Sequence, residues 1–268
     1  MSRLKTTFES LKAAGKTALV PFITAGDPRP SVTVKLLHDM VAAGASVLEL
    51  GIPFSDPMAE GPVIQAACER ALLHNVSLRD VLDMVKVFRT QDNTTPIVLM
   101  GYLNPVEVMG YQQFAEAASA AGVDGLILVD LPPEEGEALI AELKDKQIDL
   151  IFLLAPTSTA ERMETICAQA SGFVYYVSLK GVTGAAHLDI DSVVEKVAQI
   201  RTHTSLPVGV GFGIRDAESA ARVAGVADAV VVGSAIVKRV ADNAEDPQKI
   251  SQQVCELLSS MRCAMDKV

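Results

Sequence analysis

LELGIPFSDPMAEGPVIQ (residues 48–65) decides how the rest of the chain is read. A short apolar run carries one acid, Glu49, among Val47, Leu48 and Leu50. It opens into a loop dense in Gly and Pro that holds two more carboxylates, Asp56 and Glu60. A helical pattern begins near Pro62, the residue type favoured at the first helical position. Apolar strand, polar loop, helix: this is one β–α unit, with its chemistry on the loop between them.

The unit repeats. Strand patterns fall at 18–24, 46–50, 96–100, 125–130, 150–154, 173–177, 207–211 and 229–233. Each is continuously apolar, as expected of parallel strands buried on both faces. Helical patterns separate them, and AAGAS (42–46) and AAGVD (120–124) place a Gly at helix C-termini that lead into the next strand. About eight β–α units in series predict an α/β fold, a (β/α)8 TIM barrel with extra N-terminal and inserted helices. The length suits a single barrel domain over 1–268. An open doubly wound sheet ranks second, because it needs no eighth strand and gives no reason for the loop chemistry. Leu4, Phe8 and Leu11 mark one face of a short N-terminal helix.

The formal net charge of −10, with no basic cluster, argues against nucleic acid and anionic membrane as partners. A phosphorylated small molecule is still compatible, because backbone amides bind phosphate locally. Cys68, Cys167, Cys255 and Cys263 are widely spaced and suit a reducing cytoplasmic setting. The N-terminus has no apolar core of a secretion signal. No segment has the roughly 18 uninterrupted apolar residues that a membrane span needs.

In a barrel the reactive groups sit at strand C-termini and on the loops that follow. Gly181, Gly184, Gly211, Gly213 and Gly233 all fall there, after the sixth, seventh and eighth strand patterns. Ser234 stands where a helix begins. Three such loops at one corner, ending on a helix N-terminus, point to a phosphate site more than to chance turn glycines. Glu49 points into the barrel mouth or is a satisfied core acid, and the first reading is preferred, since carboxylates are seldom buried without a partner. Burial fits it to move protons near neutral pH. Glu60 is balanced between catalyst and helix-terminus acid. Asp56 reads as an N-cap, and Asp130 as a loop or cap residue. None of the strand patterns contains Lys, so a Schiff-base aldolase is not expected. Only His187 of the four histidines falls on a mouth loop, which disfavours a metal site. What remains is acid–base catalysis on a phosphorylated substrate. Phe22, Met100, Ile127, Leu153, Tyr175 and Phe212 lie at or near strand ends and suit a flat aromatic group, with barrel packing an equal alternative for most.

The chain resembles the α subunits of tryptophan synthase over nearly its whole length. The resemblance is carried by VPFITAGDP (20–28), LELGIPFSDPMAEGPVIQ (48–65), GVDGLILVDLP (122–132), GVTGA (181–185), GFGI (211–214) and GSAIVK (233–238), in that order and spacing. It implies cleavage of indole-3-glycerol phosphate to indole and glyceraldehyde 3-phosphate. Glu49 then matches the main acid–base residue. Glu60 stands where the family usually has Asp. Phe22 and Tyr175 match the indole pocket, Thr183 the closing loop, and Gly184, Gly213, Gly233 and Ser234 the phosphate cradle, while Phe212 is added to the substrate-binding set from its place at a strand end. The resemblance also implies no cofactor in this chain and a β-subunit partner carrying pyridoxal phosphate in an α2β2 heterotetramer. Pro53, Asp56 and Asn104 would face that partner. Competing readings are another phosphate-binding barrel, such as an isomerase or indole-glycerol-phosphate synthase, and a degenerate barrel kept as an allosteric partner. The missing strand-end lysines count against the synthase, and the Glu49–Glu60 pair against the degenerate barrel.

Overall fold

The computed structural model describes residues 2–178, 190–211 and 213–268. Nine parallel strands are joined by helices: β1 (Ala18–Thr24), β2 (Leu48–Gly51), β3 (Ile97–Gly101), β4 (Gly125–Leu128), β5 (Asp149–Ile151), β6 (Leu153–Leu154), β7 (Val174–Val177), β8 (Val208–Gly211) and β9 (Ala229–Val232). Their order in the sheet is β5-β4-β3-β2-β1-β9-β8-β7-β6. The two ends of that order are consecutive in the chain, separated by Phe152, whose carbonyl accepts a hydrogen bond from the Tyr175 N–H at 3.1 Å. The sheet therefore closes on itself, which excludes the open doubly wound alternative. The expected continuous strand at 150–154 is in fact two pieces. Asp149–Ile151 pairs with β4 and Leu153–Leu154 pairs with β7, so the ladder changes partner at Phe152. Such a hand-over accommodates the stagger that barrel closure demands.

The helices are α1 (Arg3–Ala13), α2 (Pro30–Ala42), α3 (Pro62–Leu72), α4 (Leu78–Arg89), α5 (Leu103–Met109), α6 (Tyr111–Ala121), α7 (Glu137–Asp145), α8 (Ala160–Gln169), α9 (Ile190–Arg201), α10 (Ala217–Ala224), α11 (Ser234–Asp242) and α12 (Pro247–Met265). α5 is a short helix inserted between β3 and α6. Gly44 and Gly122 follow α2 and α6 at φ +108° and +88°, the left-handed region that lets a helix stop and turn into the next strand.

Side chains alternate between two cores. Leu19, Ile23, Leu48, Leu50, Leu99 and Leu126 face the helices. Ala18, Val20, Val47, Val98, Ile127, Ile151, Phe173, Ala229 and Val231 fill the barrel interior, together with Leu4 and Phe8 of α1. The N-terminal helix is thus a plug, with Phe8 packed on Phe173 at 5.7 Å between ring centroids.

A buried polar knot ties that closed end together. Asp124, just before β4, accepts from Arg89 Nη2 at 2.7 Å, from the Ile97 N–H at 2.8 Å and from Arg3 Nη1 at 2.9 Å. Arg89 also donates to the carbonyls of Gly122 and Thr95. Breaking a buried pair leaves an unpaired charge, at a cost of roughly 3–5 kcal/mol. Asp124→Ala is expected to lose about that much stability in urea unfolding. A loss below about 1 kcal/mol would show that the knot is dispensable.

Candidate active site

Interior alternation puts Glu49 inside. Val47 belongs to the interior core, so Glu49, two residues on, points the same way, toward the open end of the barrel. Its Cα partners across the sheet are Phe22 on β1 and Val98 on β3. Glu49 is 2% exposed, and among the described residues no hydrogen bond or ion pair reaches it. Burial, and secondarily the charge of Glu60, pushes its carboxyl up to about 8. At neutral pH Glu49 is therefore a carboxylic acid, a proton donor in an apolar setting.

Two aromatic rings flank this point, each seated on a glycine. A Cβ at Gly51 would lie 2.7 Å from Phe22 Cζ, and one at Gly211 would collide with the Tyr175 hydroxyl. Phe22 packs with Val63, Ile64, Ala67, Met100 and Val237. Tyr175 stays protonated, held well above its ordinary range by burial and by the charges of Glu49 and Glu60. Phe22, Met100 and Tyr175 are accordingly gathered with Glu49, as the sequence suggested. The glycine seat at 51 was not anticipated. Its signal was a Gly two residues past an inward acid, on the same face of the strand.

Glu60 closes the loop that leaves β2. Its carboxyl is raised to about 7 by burial. The loop folds on itself, with the Glu60 N–H donating to the Pro57 carbonyl at 3.0 Å and the Met58 N–H to the Asp56 carbonyl at 2.8 Å. It is tied outward at two points. Gln65 Nε2 donates to the Glu60 carbonyl at 2.8 Å, and the Tyr102 hydroxyl accepts from the Ala59 N–H at 2.9 Å. Sequence reasoning missed Tyr102, although its place directly after β3 could have flagged it. Its phenol is pushed up to about 12, chiefly by burial with Glu60 adding, and so keeps its proton.

The opposite corner is built from β8, β9 and α11. Gly213 adopts φ +77°, and Gly233 precedes α11, whose first residue is Ser234. The leading amides of a helix have no acceptor within it, so this end offers N–H groups and a partial positive charge to an anion. Thr183, Gly184 and Phe212 lie outside the described residues.

Other expectations need correction or refinement. Asp56 is not a helix N-cap: the N-cap of α3 is Gly61, and Asp56 is exposed with its carboxylate accepting from Ser55 Oγ. Asp130 does cap a helix, but from a distance, accepting from the Leu103 N–H at the start of α5 at 2.8 Å. Asn104 is exposed on α5, while Pro53 is buried within the chain. Among the described residues no group of three or more His, Cys, Asp or Glu could hold a metal ion.

Known proteins share this arrangement. A family model described as "Tryptophan synthase alpha chain" matches residues 8–266. The tryptophan synthase alpha chain of Thioalkalivibrio sulfidiphilus is 66% identical over 266 residues, covering 99% of this chain and 100% of that one. The alpha chain of Nitrosococcus oceani is 61% identical over 266 residues, covering 99% and 98%. The crystal structure of the alpha subunit from Legionella pneumophila superposes with a TM-score of 0.93 at 48% identity, covering 100% of both chains.

The raised carboxyl of Glu49 has a consequence for stability. Its folded value, about 8, exceeds the ordinary 4.5, so the folded state holds this proton more tightly than the unfolded one. The stabilisation is full below about pH 4.5 and is lost as pH rises through 8. Glu49→Gln carries no such titration. The variant's stability relative to the parent is expected to increase from pH 5 to pH 9, by on the order of a few kcal/mol in urea unfolding. A difference that does not change with pH would show that Glu49 is already ionised in the fold.

Proposed function

The chain belongs to the tryptophan synthase alpha chain family and is a lyase of tryptophan biosynthesis, cleaving indole-3-glycerol phosphate to indole and glyceraldehyde 3-phosphate; from that premise we propose how its residues divide the work. The observation that carries the proposal is the buried Glu49 at the apolar mouth, without a partner among the described residues, with a second raised carboxyl close enough for the two charges to interact.

The bond to be broken joins C3 of the indole to the glycerol chain. It breaks heterolytically only if the ring becomes an electron sink. Glu49, held neutral, donates its proton to C3, and the ring nitrogen takes up the positive charge. Glu60, the more easily ionised of the two, accepts a hydrogen bond from the indole N–H and balances that charge. The C–C bond then gives its electron pair back to the ring. Glu49, now a carboxylate, removes the proton of the glycerol hydroxyl as the aldehyde forms, and the acid is regenerated. Two acids in one pocket repel, so ionisation of Glu60 itself keeps Glu49 protonated. Phe22 and Tyr175 hold the ring, Phe212 is assigned to the substrate, and Thr183 belongs to the loop that closes on the acid of the β2 loop. Gly184, Gly213, Gly233 and Ser234 receive the phosphate.

A β subunit is the partner of a tryptophan synthase alpha chain. We place that contact on the rim beside Glu60, in an α2β2 assembly whose β subunit carries pyridoxal phosphate, with no cofactor in this chain. Met58 is 85% exposed on the Glu60 loop and Val108 is 82% exposed on α5. With exposed Asp56 on the same loop and exposed Asn104 on α5, they offer apolar side chains beside polar ones, the mixture an interface uses. No helix among the described residues is long and apolar enough to cross a membrane, and the cytoplasm is the compartment that suits the free cysteines.

Glu49→Gln is expected to fold and bind substrate but to release indole more slowly by about two to four orders of magnitude. Turnover near that of the parent would remove Glu49 from the mechanism. Glu60→Asp is expected to stay within about tenfold of the parent, because the carboxylate is kept and only its reach changes. Val108→Asp is expected to leave the isolated chain's indole release unchanged while weakening activation by a purified β subunit. Full activation of that variant would move the contact elsewhere.

A further inference from the structure

The loop from β2 to α3 has to hold Glu60 still, yet its one ladder bond among the described residues lies at its start, where the Ile52 N–H donates to the Met100 carbonyl of β3 at 2.8 Å. Its internal bonds, from Met58 to Asp56 and from Glu60 to Pro57, shape a turn without tying it to the barrel. Ser55, Asp56, Met58 and Ala59 are exposed, so water competes for every backbone group there. Ile52 and Phe54, the latter through its backbone and Cys68 of α3, hold the start of the loop, and further along two side chains reach the residue before the acid and the acid itself. Gln65 takes hold of the Glu60 carbonyl from α3, and α3 is pinned to the barrel by Arg70, whose guanidinium grips both oxygens of Asp27 at 2.7 and 2.9 Å. Tyr102 takes hold of the Ala59 N–H from the end of β3.

Tyr102 is suited to that task. It is 5% exposed, it follows β3 directly, and the next residue, Leu103, is fixed by Asp130. Its ring stacks on Phe54 of the same loop, 5.1 Å between centroids and 23° between planes. One side chain thus grips the loop twice, near its start by the ring and beside the acid by the hydroxyl.

We infer that Tyr102 is a positioning residue: its hydroxyl fixes the main chain one residue before Glu60 and thereby sets where that acid meets the substrate. The inference rests on the proposed role of Glu60. Tyr102→Phe removes the grip and keeps the stacked ring.

The test is indole release by the full chain with its β subunit, across pH, in Tyr102→Phe, Glu60→Gln and the double variant. Tyr102→Phe is expected to melt where the parent does, because the freed Ala59 N–H finds water. Its kcat is expected to fall by about ten- to hundredfold, the cost of about 1 Å of misplacement, with KM changed less than about twofold. The acid limb of kcat/KM is expected to move to lower pH, because a released Glu60 regains solvent. The titratable groups that face Glu60 are Glu49 on β2, Cys68 on α3, Tyr102 after β3 and Tyr175 on β7, and none of the others moves with the loop. In the Glu60→Gln background, adding Tyr102→Phe is expected to cost nothing further, since a residue that acts through a carboxylate has no effect once it is gone. An equal cost in both backgrounds overturns the inference and leaves Tyr102 a packing residue, as does a Tyr102→Phe enzyme indistinguishable from the parent. Parental turnover in Glu60→Gln itself overturns the role of Glu60 beneath it.

Discussion

A carboxyl group enclosed in apolar protein with no counter-charge must keep its proton. That constraint governs the mouth of this barrel. Glu49 is buried among strand residues and has no partner among the described residues, so desolvation, with the charge of Glu60 adding to it, sets its state. An arginine nearby would have satisfied it and ruined it as an acid. The chain's buried arginine pairs are elsewhere, Arg89 with Asp124 at the closed end and Arg70 with Asp27 outside the pocket. The protein separates carboxylates that hold structure, which are given cations, from carboxylates that move protons, which are denied them.

The same separation explains the division between rigid and exposed parts. Glu49 sits on a strand, braced by neighbours on both sides, as the proton donor to a carbon needs to be. Glu60 sits on a loop and is braced by two side chains from outside it. An acid that only has to balance charge tolerates that looser mounting, and the loop also leaves the rim free to meet a partner. Reach and adjustability are gained at Glu60, fixity at Glu49.

Much of this was legible in the sequence because it follows from periodicity. Eight apolar runs with glycine-ended helices predict the barrel, and an acid within one of those runs predicts Glu49 at its mouth. The pattern failed where geometry depends on contacts distant in sequence. The break at Phe152 arises from closing the sheet, which no local window contains. Asp56 resembled an N-cap by its place before a helix, but Gly61 holds that position and Asp56 is left on the surface. Beyond its place after the third strand, nothing in the local sequence singles out Tyr102. Its hydroxyl matters through Ala59, 43 residues away. The role of Glu60 could not be read from its spacing alone, since an acid near a helix start is favourable without any chemistry.

The plug at the closed end bears on how the protein is made. α1 leaves the ribosome well before β7, yet the ring on which its Phe8 packs, Phe173, lies just ahead of that strand and emerges much later. Until then the apolar face of α1, with Leu4 and Phe8, has no seat. Synthesis therefore carries an exposed amphipathic segment through most of its course, a natural handle for a chaperone and a hazard without one. A helix made early is thus placed late.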